Sequence, residues 1–418
     1  MFHVKLKMKL YKQVKEILEL VYSGSNLNLV MDQYKGIEDE PRLKYLVYGV
    51  IRYNFALEYL IRKLSKHPND KVQTILFIGI FELWFSNKPN YAVVNDLVEF
   101  TKESFENPKI ASFVNAILRS FQRDKESLLS ELNKDYSTKF NLPNWFIDKL
   151  KISDKPNYLS IISGLSYHPA FGIRVNQRKI KLVDYVSKLV NANIEYELIN
   201  NKLVLSEACA IEKLPGFFDG EVSVQDIGAQ YVVDILTRNN VSPKFVLDAC
   251  SAPGGKACQI LENYDCDLLA VDIAHERLAK VKQNLDRLNL SAQLIVGDAT
   301  NQKWNKDHQM FDLVIADVPC SATGTIKRNP DIKLTRKLSD IDNFVMQQRE
   351  IINNLWSNVS NDGYLMYITC SVLHDENQDN VTWIKANLAN SILIEELQIL
   401  PSLHNDGLFY ALIKKHNG

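Results

Sequence analysis

The sequence has no long apolar run. Its strongest, Ile75 to Phe81, is closed by Glu82 and is far shorter than a bilayer span requires. The stretch MFHVKLKMKLYKQVKEILELV alternates charge with apolar residues and lacks the unbroken apolar core of a signal peptide. Cysteine is missing from the first 208 residues: Cys209, Cys250, Cys258, Cys266, Cys320 and Cys370 all come after them. CxxC pairs and Cys/His clusters are absent, which excludes the usual zinc sites, and so one-sided a distribution is unlike a secreted disulfide framework. GxGxxG is absent as well, and Lys256 is not followed by Ser or Thr, so neither the dinucleotide fingerprint nor a P-loop is present. No internal repeat or low-complexity tract occurs. Net charge is almost nil, at −1. These absences predict a soluble, cytoplasmic protein with no metal and no membrane partner; a monomer is expected, although nothing in the sequence decides the oligomeric state.

The 418 residues suit two or three domains, and 46% hydrophobic with 24% charged residues is a globular composition. The charge is uneven. Lys plus Arg outnumber Asp plus Glu by 31 to 26 over residues 1–225 and are outnumbered 18 to 24 over 226–418. A mildly basic front weakly favours nucleic acid there, but not a grip made mainly of phosphate contacts.

Residues 1–130 read as all-helical. Leu46, Val50, Tyr53, Leu57, Leu60 and Leu64 step by four and three along one helix face. Val72–Phe85 and Phe113–Phe121 are also helical in pattern, with a break at Asn87-Lys-Pro-Asn90. These stripes are read as a bundle core. Arg119 and Arg123 share a helix face that could touch phosphate, though such residues more often only solvate it. Residues 131–218 read as a polar connection around Lys134–Lys155 followed by a small α/β, RRM-like module. Its strand is Gly172–Asn176, its helix Leu182–Val190, and Ile194–Leu198 pairs with Leu203–Leu205 around Asn200-Asn201.

From 219 to 418 strands and helices alternate. Strands are expected at Phe245–Leu247, Leu268–Val271, Gln293–Val296, Leu313–Ala316, Tyr364–Thr369 and Leu408–Ile413, with helices at Glu276–Leu288 and Phe344–Val359. The pattern predicts a doubly wound, mostly parallel sheet, whose ligands bind beyond the carboxyl ends of the strands. Asp248, Asp272, Asp298, Asp317 and Cys370 each fall at or just after such an end.

Gly254 and Gly255 open a helix directly after the first of these strands, where glycine lets backbone amides approach a ligand. Asp272 is placed to accept from ribose hydroxyls and Asp298 to meet an adenine amino group, although a single strand-end aspartate is more often a helix N-cap. Two in register with a glycine turn favour an adenosine-containing cofactor. Asp317, in Asp317-Val-Pro-Cys320, can hold the edge of a base taken out of its stack, or, if protonated, donate to ring nitrogen 3. Cys370 is a candidate nucleophile in Ile368-Thr-Cys370-Ser-Val. Cys209, Cys258 and Cys266 are read as small buried hydrophobes. Two thiols at the edge of a nucleotide-binding sheet suggest covalent chemistry on a pyrimidine.

The strings DACSAPGGK, ADVPCSATGTIKRNPDIK and YITCSVLHDEN resemble the signatures of RNA cytosine-5 methyltransferases of the Fmu/Sun/NOL type. LKYLVYGVIRYNFALEYLIRKL and ASFVNAILRSFQR resemble the NusB-like domain of that family's bacterial 16S rRNA branch, RsmB/Sun. FGIRVN and GEVSVQDIGAQ resemble the elements leading into the catalytic domain. The likeness spans nearly the whole chain. It implies a Rossmann-like class I methyltransferase domain, preceded by the helical and α/β modules, that uses S-adenosylmethionine to methylate carbon 5 of one cytosine in small-subunit rRNA. By position it implies that Cys250, Ser251, Ala252, Pro253, Gly254, Gly255 and Lys256 form the cofactor loop. Asp272 and Asp298 would bind the nucleoside, and Asp317 would face both donor and base. It implies Cys370 as nucleophile and Cys320 as the thiol that assists release by β-elimination. Spacing alone does not assign those two roles, because the related DNA enzymes attack with the cysteine of their PC motif. Ser251, Ala257 and Val318 depart from the residues common at those places. A tRNA substrate, a non-catalytic RNA scaffold and a nicotinamide oxidoreductase are the competing readings.

Overall fold

A computed structural model of the chain describes residues 2–65 and 72–417, with side chains from residue 8 onward. The chain forms two compact units, residues 1–158 with 329–337, and residues 159–328 with 338–418.

The first unit is helical and built around Gln73–Phe85, whose residues Thr74 to Leu83 are all buried. A helix apolar on every face has to be surrounded, and it packs among Val14, Leu46, Leu57, Leu97 and Leu118. Gly49 permits one close approach, since a Cβ there would lie 2.0 Å from Phe81 Cζ. Glu82, which ends the apolar run, is fully buried. It accepts from Tyr11 OH at 2.5 Å, Arg42 Nη2 at 2.5 Å and Lys88 Nζ at 3.0 Å. The Leu46–Leu64 stripe belongs to two helices, Glu40–Arg52 and Asn54–Leu64, because the chain turns at Tyr53. Asn141 Oδ1 accepts from Ala56 N at the start of the second, satisfying a donor that an unbroken helix would not expose. Arg119 bonds Asn115 and Arg123 bonds Asp124 on the exposed face of Pro108–Glu131. The stretch around 134–155 is helical at Tyr136–Phe140 and Asn144–Ser153, not an irregular connection. Residues 329–337 also fold here: Asp331 Oδ2 accepts from Leu27 N at 3.1 Å, and Lys333 Nζ donates to Arg52 O at 2.5 Å.

The second unit holds two sheets. The smaller is antiparallel, in the order β2-β3-β1-β4, from β1 (Phe171–Val175), β2 (Tyr196–Ile199), β3 (Lys202–Leu205) and β4 (Val222–Val224). Tyr185 and Leu189 of helix Leu182–Asn191 pack on Ile173, Leu203 and Val222.

The larger sheet contains β5 (Phe245–Ala249), β6 (Asp267–Asp272), β7 (Gln293–Val296), β8 (Phe311–Asp317), β9 (Val359–Thr369), β10 (Ser391–Ile399) and β11 (Leu408–Lys415). Their order is β10-β11-β9-β8-β5-β6-β7; β5 to β9 run parallel, and β11 is antiparallel to both its neighbours. This is the doubly wound sheet the alternation predicts. The order reverses between β5 and β8, so the loops after these strands flank the crevice where such sheets bind ligands. β4 and β10 were not expected. β10 is an edge strand with alternating half-buried and exposed residues, and the charges at Glu395 and Glu396 mask its period.

Candidate active site

A cavity of about 280 Å³ opens beyond the carboxyl ends of β5, β6, β7, β8 and β9. Asp272, Asp298, Asp317, Cys320 and Cys370 all line it, with Cys250 and Ala252 from the glycine-rich turn. Thus residues as far apart in sequence as Cys250 and Cys370 converge on one rim, because consecutive parallel strands deliver their ends to the same side.

The turn after β5 is shaped by its backbone. Gly254 has φ +93°, and a Cβ there would lie 2.9 Å from Val281 Cγ1. Both observations require glycine. Gly255 has no such constraint; a Cβ there would be at ordinary contact distance from Gln225. Asp248 lies beneath the rim and is buried, its Oδ2 accepting from Ser251 Oγ at 2.7 Å. Burial pushes its carboxyl up to about 7 despite that hydrogen bond. Ser251, one of the departures from the family pattern, therefore has a partner of its own. Ser251, Pro253, Gly254, Gly255 and Lys256 do not line the cavity; Pro253 and Gly255 line a separate pocket with Phe217 and Arg287.

Asp272 is buried at the end of β6. It accepts from Ala252 N at 3.0 Å and Ala274 N at 3.4 Å, with Arg277 Nη2 also at 3.4 Å. Asp298 Oδ1 accepts from Thr300 N at 2.9 Å and Thr300 Oγ1 at 2.8 Å, the turn-closing use that a strand-end aspartate often has. Lys256 Nζ lies 2.6 Å from Asp317 Oδ2. Burial opposes the lysine's charge, but the adjacent Asp317 outweighs it and the ammonium is held above its usual range.

The Sγ atoms of Cys320 and Cys370 are 3.3 Å apart, beyond a disulfide bond and within hydrogen-bonding reach. Both are free and partly accessible. The hydrogen bond to Cys370, reinforced by burial, holds the Cys320 thiol well above its ordinary range. Cys250 is pushed up to about 12 by burial and by the charges of Asp317, Asp272 and Asp248, so it is an unreactive thiol. Cys258 is buried in the core as expected, whereas Cys209 and Cys266 are only half-buried.

Sequence reasoning did not single out Ile273, Arg277, Thr300 or Gln347, which also line the cavity. It also passed over Glu376, a fully buried carboxylate behind the two thiols. Glu376 stands six residues after Cys370 in the motif string, and an acidic residue that close to a nucleophile was the available signal. Among the described residues no cluster of His, Cys, Asp and Glu is arranged to hold a metal, and no helix is long and apolar enough to cross a membrane.

Residues 235–414 match the family model for 16S rRNA methyltransferase RsmB/F, and residues 9–123 match the NusB family. The ribosomal RNA small subunit methyltransferase B of Pasteurella multocida is 34% identical over 96% of this chain and 94% of its own length. The crystal structure of PH0851 superposes with a TM-score of 0.76 at 19% identity, covering 97% of this chain and 99% of that one. A methyltransferase homolog protein from Pyrococcus horikoshii gives a TM-score of 0.58 at 21% identity, covering 67% and 98%. These two likenesses show the fold: an α/β class I methyltransferase domain preceded by helices. The methyl donor of such an enzyme is S-adenosylmethionine, and the rim fits it. Asp272 keeps acceptor capacity for ribose hydroxyls after its three contacts, and the exposed apolar side chain of Ile273 offers a face to a base. With such identity over almost its entire length, the chain belongs to the ribosomal RNA small subunit methyltransferase B family.

Proposed function

We propose that this protein methylates carbon 5 of one cytosine in 16S rRNA, through a covalent bond between Cys370 and the base. The observation that carries the reading is the 3.3 Å separation of Cys320 and Cys370 Sγ in a cavity shared with Asp317. Carbon 5 of cytosine is a poor nucleophile until a thiolate adds to carbon 6. One thiol of a hydrogen-bonded pair has to keep its proton, and the place of Cys370 in the Thr369-Cys370-Ser371 motif supports it as the attacking thiolate.

Cys370 Sγ bonds to carbon 6, and its electron pair makes carbon 5 nucleophilic. S-adenosylmethionine supplies an electrophilic methyl group on a sulfonium, held by the Cys250–Ala252 turn, Asp272 and Asp298. Asp317, paired with Lys256, acts as an acceptor toward the exocyclic amine of the flipped base, which the ion pair favours over a protonated Asp317 donating to nitrogen 3. Once Cys370 is a thioether, the principal cause of the Cys320 shift is gone. Cys320 then gives up its own proton to solvent, its thiolate takes the proton from carbon 5, and the carbon 6–sulfur bond breaks to return Cys370 as thiolate.

We assign residues 219–418 to the methyltransferase domain and 1–130 to an RNA-binding NusB-like domain. Between them, 131–218 carries a connection and the small α/β module, although residues 131–158 fold with the first unit. The protein acts as a cytoplasmic monomer. The experiment is methylation of purified 16S rRNA and tRNA with labelled S-adenosylmethionine, followed by nucleoside analysis. 5-Methylcytosine in 16S rRNA alone is expected. Label on tRNA only, or on another atom of the base, overturns the reading.

A further inference from the structure

We infer that Glu376 is a positioning residue, holding the loops of Cys320 and Cys370 in the register that release of the methylated base requires. The inference rests on the two-thiol reading above. The Glu376 side chain is completely buried, and four donors converge on its carboxylate. Ser321 N and Gln348 Nε2 donate to Oε1 at 2.8 and 2.9 Å, and the Oγ atoms of Ser321 and Ser371 donate to Oε2 at 2.5 Å each. Ser321 follows Cys320 in the chain, and Ser371 follows Cys370. One carboxylate therefore grips the residue after each thiol, across 50 positions of sequence.

A buried carboxylate costs several kcal/mol in lost hydration unless it is fully hydrogen-bonded. A core hydrophobe would avoid that cost, so stability alone gives a weak reason for an acid here. What an acid provides is acceptor capacity with no donor of its own, which forces both loops to turn their donors inward. Glutamine keeps an acceptor for Ser321 N and Gln348 Nε2 only by turning its N–H groups toward Ser321 Oγ and Ser371 Oγ, so both hydroxyls must then accept and send their own protons elsewhere. The substitution thus reverses the hydrogen bonds to both loops and removes the charge. The negative charge also adds to the causes, led by the hydrogen bond to Cys370, that keep the Cys320 thiol protonated. A separate link, Gly324 N to Cys370 O at 2.9 Å, keeps the two loops joined without Glu376. Its loss should thus misplace the thiols without separating them.

The test uses full-length Glu376→Gln with 16S rRNA and S-adenosylmethionine. The readout is denaturation-resistant protein–RNA adduct per molecule of 5-methylcytosine formed. This ratio is expected to rise about tenfold or more, since displacing a catalytic group by about 1 Å can cost about 10²-fold in rate. A purely structural role would lower the amount of folded enzyme and leave the ratio unchanged, and that result overturns the inference. Should Glu376→Gln not fold, Ser321→Ala removes one hydroxyl donor and carries the same test, with a severalfold rise expected and an unchanged ratio overturning it. Cys320→Ala is run alongside. Adduct in Cys320→Ala with an unchanged ratio in Glu376→Gln removes this inference alone; no adduct in Cys320→Ala removes the two-thiol reading.

Discussion

Lys256 Nζ donates to Asp317 Oδ2 at 2.6 Å, tying the first turn of helix Gly255–Asn263 to the end of β8. These are the elements on either side of the point where the strand order reverses. The ion pair couples the cofactor loop to the carboxylate assigned to the target base. Removing the ammonium leaves Asp317 without its charged partner. Lys256→Met should lower turnover by about 10- to 100-fold, the range for a charge-assisted hydrogen bond of about 1.5–3 kcal/mol. Single-turnover methylation of 16S rRNA measures it, and an unchanged rate would detach Lys256 from the chemistry.

Gly254→Ala should weaken cofactor binding. The left-handed φ of +93° and the 2.9 Å approach to Val281 both act against a Cβ. Together they cost about 1–3 kcal/mol, read as a roughly 5- to 100-fold rise in the Kd for S-adenosylhomocysteine by calorimetry. Gly255→Ala, at a position in ordinary contact, should change that Kd much less.

Asp248 makes stability fall as pH rises. The unfolded chain ionises this carboxyl near 3.8 and the folded chain near 7, so between those values the folded state binds the extra proton. Stability is therefore lost progressively from about pH 4 to about pH 7. Denaturant titrations of the wild type and Asp248→Asn across that window isolate the contribution. The variant should show a flatter dependence, and parallel curves would contradict it.

Glu82→Ala should destabilise the helical unit by about 2–3 kcal/mol, the cost of leaving a buried donor without an acceptor and deleting a charged hydrogen bond. Tyr11 OH is the donor left behind. The thermal midpoint of the first unit's transition reports the loss, and Glu82→Gln, which keeps an acceptor for Tyr11, should recover part of it.

Much of this arrangement is legible in the sequence. Strand ends at Asp272, Asp298, Asp317 and Cys370 could be placed because short apolar runs alternate with helical periods and parallel connections deliver every carboxyl end to one rim. The strand β10 was hidden because an edge strand shares one face with solvent and tolerates Glu395 and Glu396. The break at Tyr53 was hidden because a stripe stepping by four and three reads the same through a turn. Asp248 looked like a rim carboxylate because sequence gives position along a strand, not depth; its side chain points beneath the cavity to Ser251. Glu376 was passed over because its partners, Ser321 and Gln348, come from other loops and helices that meet only in the folded chain. The Asn329–Lys333 end of the PCS-containing motif string folds with the first unit, which no local pattern indicates.

The account turns on which sulfur holds the base. Cys320→Ala and Cys370→Ala, each incubated with 16S rRNA and S-adenosylmethionine, are run on a denaturing gel for protein bound to RNA. An adduct that survives denaturation in Cys320→Ala, with none and no methylation in Cys370→Ala, is the predicted result. Adduct in Cys370→Ala instead, or methyl transfer by that variant at the wild-type rate, would contradict it.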